Sequence, residues 1–487
     1  MILLKDILYG VGIEKVVGAT AVAINAIQFD SRKISLNDLY VAQKGTQVDG
    51  HEFILDACNK GALAIVCEVL PEQIINGITY VQVSNAQEAL AHMASNFYGR
   101  PSAKLKLVGI TGTNGKTTVA SLLYKTFTTL GEPSGLLSTI AIKVREATYP
   151  ASHTTPDALT INYYLNKMVE TGVSHCFMEV SSHGIAQERT TALQFSGAVF
   201  TNLTHDHLDY HGDFKTYRDV KKRLFDGLSK QAFALVNEDD KNGPFMWQNT
   251  QALKKGYALK TLSDYQAQIL ENGLEGLWLR IQNKEVWVRL LGKFNAYNLL
   301  AVYAVANLLG KPQDEVLQAM SLLETVSGRF QYFISSTKIT VVVDYAHTPD
   351  ALQNVLETLQ HIATGNEQII TVVGCGGNRD KTKRPEMAKV ACHLSTRCVF
   401  TSDNPRGEDP QEILQDMEMG IPPEHFSKTT SILDRKQAIK AACQLAMPGD
   451  IVLVAGKGHE TYQEIKGVKH PFNDFEILKQ TLNLLKK

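Results

Sequence analysis

The residues that most plainly carry chemistry are Gly109-Ile110-Thr111-Gly112-Thr113-Asn114-Gly115-Lys116-Thr117-Thr118. Glycines let backbone amides curl around phosphate oxygens, and a helix starting at the end of such a loop adds its positive dipole. In this arrangement Lys116 reaches the β- and γ-phosphates and the Thr117 hydroxyl holds Mg²⁺. The general pattern G-x-x-x-x-G-K-[ST] needs glycine at position 110, where Ile110 stands, so the glycines at 109, 112 and 115 make a variant of it. The bland alternative is a tight strand-to-helix turn that binds nothing; Gly-Lys-Thr-Thr in that setting argues against it.

Groups suited to a hard cation follow. Glu179 lies in Met178-Glu179-Val180-Ser181-Ser182-His183-Gly184, and Thr204-His205-Asp206-His207-Leu208-Asp209-Tyr210-His211 comes after it. Mg²⁺ beside a triphosphate takes one or two carboxylates, with water and phosphate oxygens completing its shell. The histidines at 183, 205, 207 and 211 could suggest zinc, but their spacing is not a helical H-E-x-x-H and no cysteine joins them. By itself His207 reads as an ordinary hydrogen-bonded histidine. Lys221-Lys222-Arg223 reads by itself as a solvated basic run on a helix, Asn295 as a helix cap, and Asp403-Asn404-Pro405-Arg406 as a β-turn after a strand.

These residues need elements to position them. Leu105–Ile110 reads as a strand running into the glycine loop, and Thr117–Leu130 as the helix beyond it. Strands over 176–180, 197–201 and 233–237 alternate with helical stretches, which argues for a mainly parallel sheet covered on both faces. Between about 258 and 291 the pattern changes to a hairpin, Leu277–Ile281 with Glu285–Leu290, expected as an appended antiparallel piece. Farther on, strands over 339–344, 369–373, 398–401 and 451–454 each end in a polar or glycine-rich loop. Open α/β sheets bind ligands beyond the carboxyl ends of their strands, so those four loops are predicted to gather on one edge. Polar breaks at Tyr98–Ser102 and Arg329–Phe330 divide the chain into 1–99, 100–331 and 332–487.

Composition limits what such a chain does. Its 487 residues suit about three domains, and 44% hydrophobic with 20% charged residues is ordinary for a globular protein. A net charge of -1 provides no global field for nucleic acid or an anionic membrane. No run approaches 18 apolar residues, so no membrane span is expected. Met1–Asp6 lacks the marks of a secretory signal. The seven cysteines, at 58, 67, 176, 375, 392, 398 and 443, form no C-x-x-C pair, which fits free thiols in a reducing cytoplasm.

Gly112–Thr118 resembles the phosphate loop of the Mur ligases and of the related folylpolyglutamate synthetases. The resemblance runs through all three segments in order. It implies an α/β chain with an N-terminal nucleotide-substrate domain, a central P-loop ATPase-like parallel-sheet domain and a C-terminal Rossmann-like domain. It also implies a ligase in which ATP phosphorylates a carboxylate and an amine then attacks the acyl phosphate. The matching positions imply ATP contacts at Gly112, Thr113, Asn114, Gly115, Lys116, Thr117, Thr118, Asn295 and Asp344. They imply Mg²⁺ ligands at Thr117, Glu179, His207 and Lys221, the lysine as a carbamate. Arg329, in Ser327-Gly328-Arg329-Phe330, would neutralise charge on the transferring phosphoryl group. Lys116, Lys221, His207, Glu179 and Arg329 are therefore the expected catalytic set.

On the substrate side, Phe29, Ser31, Thr46, Gln47 and Val48 match loops that hold a uridine nucleotide. His153, Thr154 and Thr155 match a muramoyl-peptide loop, although the family more often has Asn where His153 stands. Ser181, Gln187 and Arg189 match positions that hold the peptide, and Arg189 could pair with a carboxylate. Asp403, Asn404, Pro405 and Arg406 resemble the signature of members that add meso-diaminopimelate rather than lysine. Diaminopimelate carries a second carboxylate, which arginine's planar fork can grip bidentately. Arg379, Gly456 and Glu460 match the other amino-acid contacts, and Glu460 would suit the far ammonium. The implied partners are UDP-N-acetylmuramoyl-L-alanyl-D-glutamate, diaminopimelate, ATP and Mg²⁺, in a cytoplasmic monomer that binds no nucleic acid. The competing readings are a lysine-adding member, the next ligase of the family, a folylpolyglutamate synthetase, or a switch that uses ATP only to change shape.

Overall fold

The computed structural model describes residues 1–45 and 48–487; Thr46 and Gln47, expected at the uridine nucleotide, lie outside the described residues. The chain is α/β and builds three principal sheets in succession. The first has five strands in the order Ile13–Val17, Thr79–Val83, Ala62–Cys67, Asp38–Val41, Ile27–Gln28. All its pairings are parallel except that of Ile13–Val17 at the edge. The helix Ala86–Phe97 covers it, capped by Asn85, whose side chain accepts from the Gln87 and Glu88 amides. Its Ala89, Leu90 and Met93 pack on Leu39, Val66 and Val81.

The middle sheet has eleven strands, and the loop-bearing strand Lys106–Thr111 lies inside it, between His175–Glu179 and Gly197–Phe200. Pairings from Ser134–Leu137 across to Tyr265–Gly273 are all parallel. The central strands Lys106–Thr111, His175–Glu179, Gly197–Phe200 and Phe233–Asn237 are buried almost throughout because helices cover both faces. Lys116–Thr129 and Lys293–Leu308 pack on one face through Leu123, Phe127, Leu299 and Tyr303. Ala158–Glu170 and Phe214–Asp226 cover the other through Ile161, Leu165, Leu224 and Phe225. The predicted hairpin forms as Gly276–Ile281 and Lys284–Val288. Rather than standing apart, it prolongs the same sheet through Tyr265–Gly273, because its inward Leu277, Leu279 and Ile281 join the core under Lys293–Leu308.

The last sheet runs Gln331–Ile334, Thr340–Asp344, Ile451–Ala455, Ile369–Val373, Arg397–Phe400, Thr429–Ser431. Only the first pairing is antiparallel. Every loop that leaves the carboxyl end of its four central strands therefore opens toward one edge, as the sequence predicts.

Candidate functional site

That edge faces the phosphate loop of the middle sheet across a cavity of about 720 Å³, lined by residues of both. Thr113, Asn114, Gly115, Lys116, Thr117 and Thr118 line it from the loop. Two glycines make the loop possible. Gly115 sits at φ +88°, and a Cβ there would lie 2.7 Å from Asn298 Oδ1; at Gly112, φ +149°, a Cβ would meet Thr201 Oγ1 at 1.9 Å. Ile110 lies within the strand and is fully buried, so the loop needs no glycine there.

Two lysines meet at this loop with no carboxylate bonded to either. Lys116 Nζ donates to Gly112 O at 2.9 Å and Thr113 O at 2.8 Å. Lys221 Nζ donates to Gly112 O at 3.0 Å and lies 4.6 Å from the Tyr217 ring centre. Lys221 is 1% exposed, which overturns the reading of 221–223 as a solvated basic run. Tyr217, Lys221, Leu224 and Phe225 form the inward face of their helix, and within the run only Arg223 is exposed. Burial, and then repulsion from Lys116, hold Lys221 well below its usual value; burial also lowers Lys116.

Glu179 ends its strand with no exposed surface. Its carboxylate accepts from Thr117 Oγ1 at 2.9 Å, the Thr139 amide at 2.7 Å and Thr139 Oγ1 at 3.2 Å. His207 lies in the same cavity at φ +55°, and burial keeps its ring neutral, the form that ligates a metal. Among the described residues no group of three or more His, Cys, Asp or Glu side chains is placed to hold a metal. The set Thr117, Glu179 and His207 does suit a hard cation that takes the rest of its shell from phosphate and water.

Arg329 spans the cavity. Its Nη2 donates to Thr117 Oγ1 at 3.0 Å, its guanidinium lies 4.3 Å from the Tyr345 ring centre, and its buried Nε has no partner. Asp344 secures that turn, accepting from the Phe330 amide at 2.6 Å and the Ala346 amide at 2.7 Å, and burial raises its pKa. Asn295 also lines the cavity but caps nothing; Gly292 holds the cap position, and Asn295 donates to Leu291 O at 2.8 Å inside the first turn.

From the facing sheet come Arg379, Asp403, Asn404, Arg406, Gly456 and Glu460. Arg406 adopts φ +53°, rare for a residue with a Cβ. Its amide donates to Glu464 O at 3.0 Å, its carbonyl accepts from the Lys466 amide at 2.6 Å, and Nη1 donates to Gly377 O at 2.8 Å. The predicted turn is displaced: residues 402–404 belong to no regular element, and the turn spans Pro405 to Glu408, where the Glu408 amide donates to Pro405 O at 3.0 Å. The positive φ of Arg406, followed by Gly407, moves it. Pro405 is buried off the cavity.

Thr154 and Ser181 reach the cavity wall; Thr155, Gln187 and Arg189 form a layer beside it. Thr155 Oγ1 donates to Glu179 O at 2.9 Å, Arg189 Nη1 to Thr155 O at 2.6 Å, and Gln187 Nε2 to the Tyr210 hydroxyl at 3.2 Å. His153 is exposed and bonded only to Ser152. Phe29 and Val48, both exposed, and buried Ser31 lie on the first sheet's loops and do not line the cavity.

Sequence reasoning missed several residues here. Lys383 crosses the cleft to pair with Asp206, His205 lies 3.6 Å from Asp380, and Asn114 Nδ2 donates to Asp350 Oδ2 at 3.0 Å. Lys457 and Arg435 sit wholly buried behind the amino-acid loops. Adjacency to named motifs could have flagged Asp206 and Lys457; nothing local marks Lys383 or Arg435.

Comparison with known proteins bears on the same arrangement. Residues 23–98 match the description "Mur ligase family, catalytic domain", 110–306 "Mur ligase middle domain", and 328–458 "Mur ligase, glutamate ligase domain". A UDP-N-acetylmuramoyl-L-alanyl-D-glutamate–2,6-diaminopimelate ligase of Cytophaga hutchinsonii is 54% identical over 99% of this chain and 100% of its own. One from Clostridioides difficile is 39% identical over 99% of both. A solved structure of an enzyme of that name superposes with TM-score 0.69 at 31% identity, covering 100% of this chain and 99% of its own. The MurF ligase of Thermotoga maritima in complex with ADP shares the fold, with TM-score 0.67 at 18% identity over 94% and 98% of the two chains. With all three segments matched in order and full-length relatives at such identity, the chain belongs to the Mur ligase family.

Proposed function

We propose that this chain is an ATP-dependent ligase that joins meso-diaminopimelate to the D-glutamate γ-carboxylate of UDP-N-acetylmuramoyl-L-alanyl-D-glutamate, a step in cell-wall precursor synthesis. The supporting observation is one cavity with a phosphate loop on one wall and Arg406, Arg379 and Glu460 on the other. The working units are 1–99 for the uridine nucleotide, 100–331 for ATP and 332–487 for the amino acid. No helix among the described residues is long and apolar enough to cross a membrane; cytoplasmic location and a monomeric state complete the reading.

The γ-carboxylate attacks the terminal phosphorus of ATP and ADP departs, leaving an acyl phosphate. The amine of diaminopimelate then attacks the acyl carbon; the new amide forms, phosphate leaves and the amine gives up a proton. Lys116 and the unpartnered Nε of Arg329 offer positive charge to phosphate oxygens. Asn295 and Asp344 shape the nucleotide end. His153, Thr154 and Thr155 serve the muramoyl-peptide, Ser181, Gln187 and Arg189 hold the peptide, and Phe29, Ser31, Thr46, Gln47 and Val48 serve the uridine nucleotide. Arg406 and Arg379 take the carboxylates of diaminopimelate, with Asp403, Asn404, Pro405 and Gly456 shaping the loops, and Glu460 takes an ammonium. Thr117, Glu179, His207 and Lys221, the last as a carbamate, are the residues that would hold Mg²⁺. Bound there, the ion would neutralise phosphate charge. Burial favours the unprotonated form of Lys221, the form that adds CO₂, forming an N–C bond and releasing a proton.

The test is phosphate release with ATP and the UDP-muramoyl dipeptide, offering diaminopimelate or L-lysine. The reading expects turnover that needs both dipeptide and amine and favours diaminopimelate. A preference for lysine would reject the amino-acid assignment. Phosphate release independent of the amine would reject the ligase.

A further inference from the structure

Behind the amino-acid wall lies Lys457, which has no exposed surface. Its Nζ donates to Asn404 Oδ1 at 2.8 Å and Glu460 Oε2 at 2.9 Å, and lies 4.0 Å from Asp403 Oδ1. Asn404 completes a triangle: its Nδ2 donates to Glu460 Oε2 at 2.8 Å, and its Oδ1 also accepts from the Glu464 amide at 3.0 Å. Both bonds to Glu460 end on Oε2, and among the described residues nothing donates to Oε1.

Asp403 also approaches a second buried cation. Its Oδ2 lies 3.9 Å from Arg435 Nη1, which makes no hydrogen bond. Arg435 is committed to Asp474 at 2.9 and 2.7 Å and to Ala455 O at 2.9 Å. The connected cluster thus contains two cations, Lys457 and Arg435, and three carboxylates, Asp403, Glu460 and Asp474, leaving one negative charge over. Buried ion clusters are costly when unbalanced. This one is a cation short at the oxygen that lacks a donor, on the cavity wall.

We propose that Lys457 is the positioning residue of the amino-acid subsite: its ammonium orients the Asn404 amide and pins Glu460 through Oε2, so that Oε1 stays available to a substrate ammonium. Lys457 does not touch substrate. It acts through Glu460, and it leaves the subsite selective for an amino acid that is cationic as well as anionic at the far end. The inference rests on the ligase reading above.

The experiment measures KM for diaminopimelate, ATP and the UDP-muramoyl dipeptide in wild type, Lys457→Met, Glu460→Gln and the double variant, with melting temperatures alongside. Losing a buried charge-assisted contact predicts a rise in KM for diaminopimelate of roughly tenfold or more in Lys457→Met, with the other two KM values within about twofold. In the Glu460→Gln background the same change should add less than about twofold, because its target is already gone. An unchanged KM for diaminopimelate in folded Lys457→Met, a parallel rise in all three KM values, or the same factor in both backgrounds would overturn the proposal. Should Lys457→Met fail to fold, Glu460→Gln against the double variant decides alone, since that pair removes both charges: equal KM values support the proposal and a further rise overturns it. A wild-type protein that ignores diaminopimelate rejects the parent reading instead.

Discussion

On the central wall of the cavity, Lys116 and Lys221 rest on carbonyl oxygens of the phosphate loop. On the facing wall, Lys457 and Arg435 rest on carboxylates. Both walls bury cations, but only Lys457 and Arg435 are hydrogen-bonded to carboxylates. Lys116 and Lys221 share their cavity with Glu179 and Asp206 without a bond to either, which leaves them able to meet an anion with many oxygens, as a triphosphate is. The facing wall holds one carboxylate more than its cations and suits an amino acid that brings an ammonium of its own. Desolvation marks the first role: a buried lysine without a bonded carboxylate is pulled down in pKa, as Lys221 is.

The comparison can be broken most forcefully at Lys116. Lys116→Met should lower kcat for phosphate release by roughly 10²–10³-fold, with the protein folded by circular dichroism. A loss under tenfold would mean that the central wall does not depend on that charge. Arg406→Ala should lower kcat/KM for diaminopimelate by roughly 10–100-fold and leave that for lysine within about threefold. An equal loss for both amines would show that Arg406 supports its loop and does not read the second carboxylate. Lys383→Met removes the ion pair that ties the walls together through Asp206. The expectation is a roughly tenfold loss of activity and a larger radius of gyration for the ligand-free protein in small-angle scattering. An unchanged radius would relieve that pair of any part in holding the cleft shut.

The smallest effect concerns stability and has the opposite sign. Lys221 is held well below its ordinary value of 10.5, so folding at neutral pH must strip or bury its charge. That cost is present below the folded-state value, fades as pH rises and vanishes above the ordinary one. Lys221→Met should therefore melt roughly 2–4 °C above wild type at pH 7 while losing activity, with the advantage shrinking toward pH 10. A lower melting temperature at pH 7 would show that the bond to Gly112 O outweighs desolvation.

Legibility followed locality. The glycine loop, its strand and its helix were readable because much of their signal is local: the positive φ of Gly112 and Gly115, an apolar strand before and a helix after. The strands 233–237 and 369–373 form as predicted because buried parallel strands leave continuous apolar runs. The environment of Lys221 was not legible. Three basic residues in a row look solvated until Tyr217, Leu224 and Phe225 bury one side of that helix. The turn at Asp403–Arg406 was misplaced because the φ of Arg406 is sustained by bonds to Glu464 and Lys466, some 60 positions along the chain.

By itself, then, the sequence determined the elements, the order of the three units and the identity of the phosphate loop, since those depend on side-chain periodicity and backbone preference within a few residues. The tertiary structure alone decided which cations lie buried, which of them meet carboxylates, and that Lys383 and Arg329 span the cleft. Charge balance in a low-dielectric interior is set by groups that fold together from distant parts of the chain, and no local pattern records it.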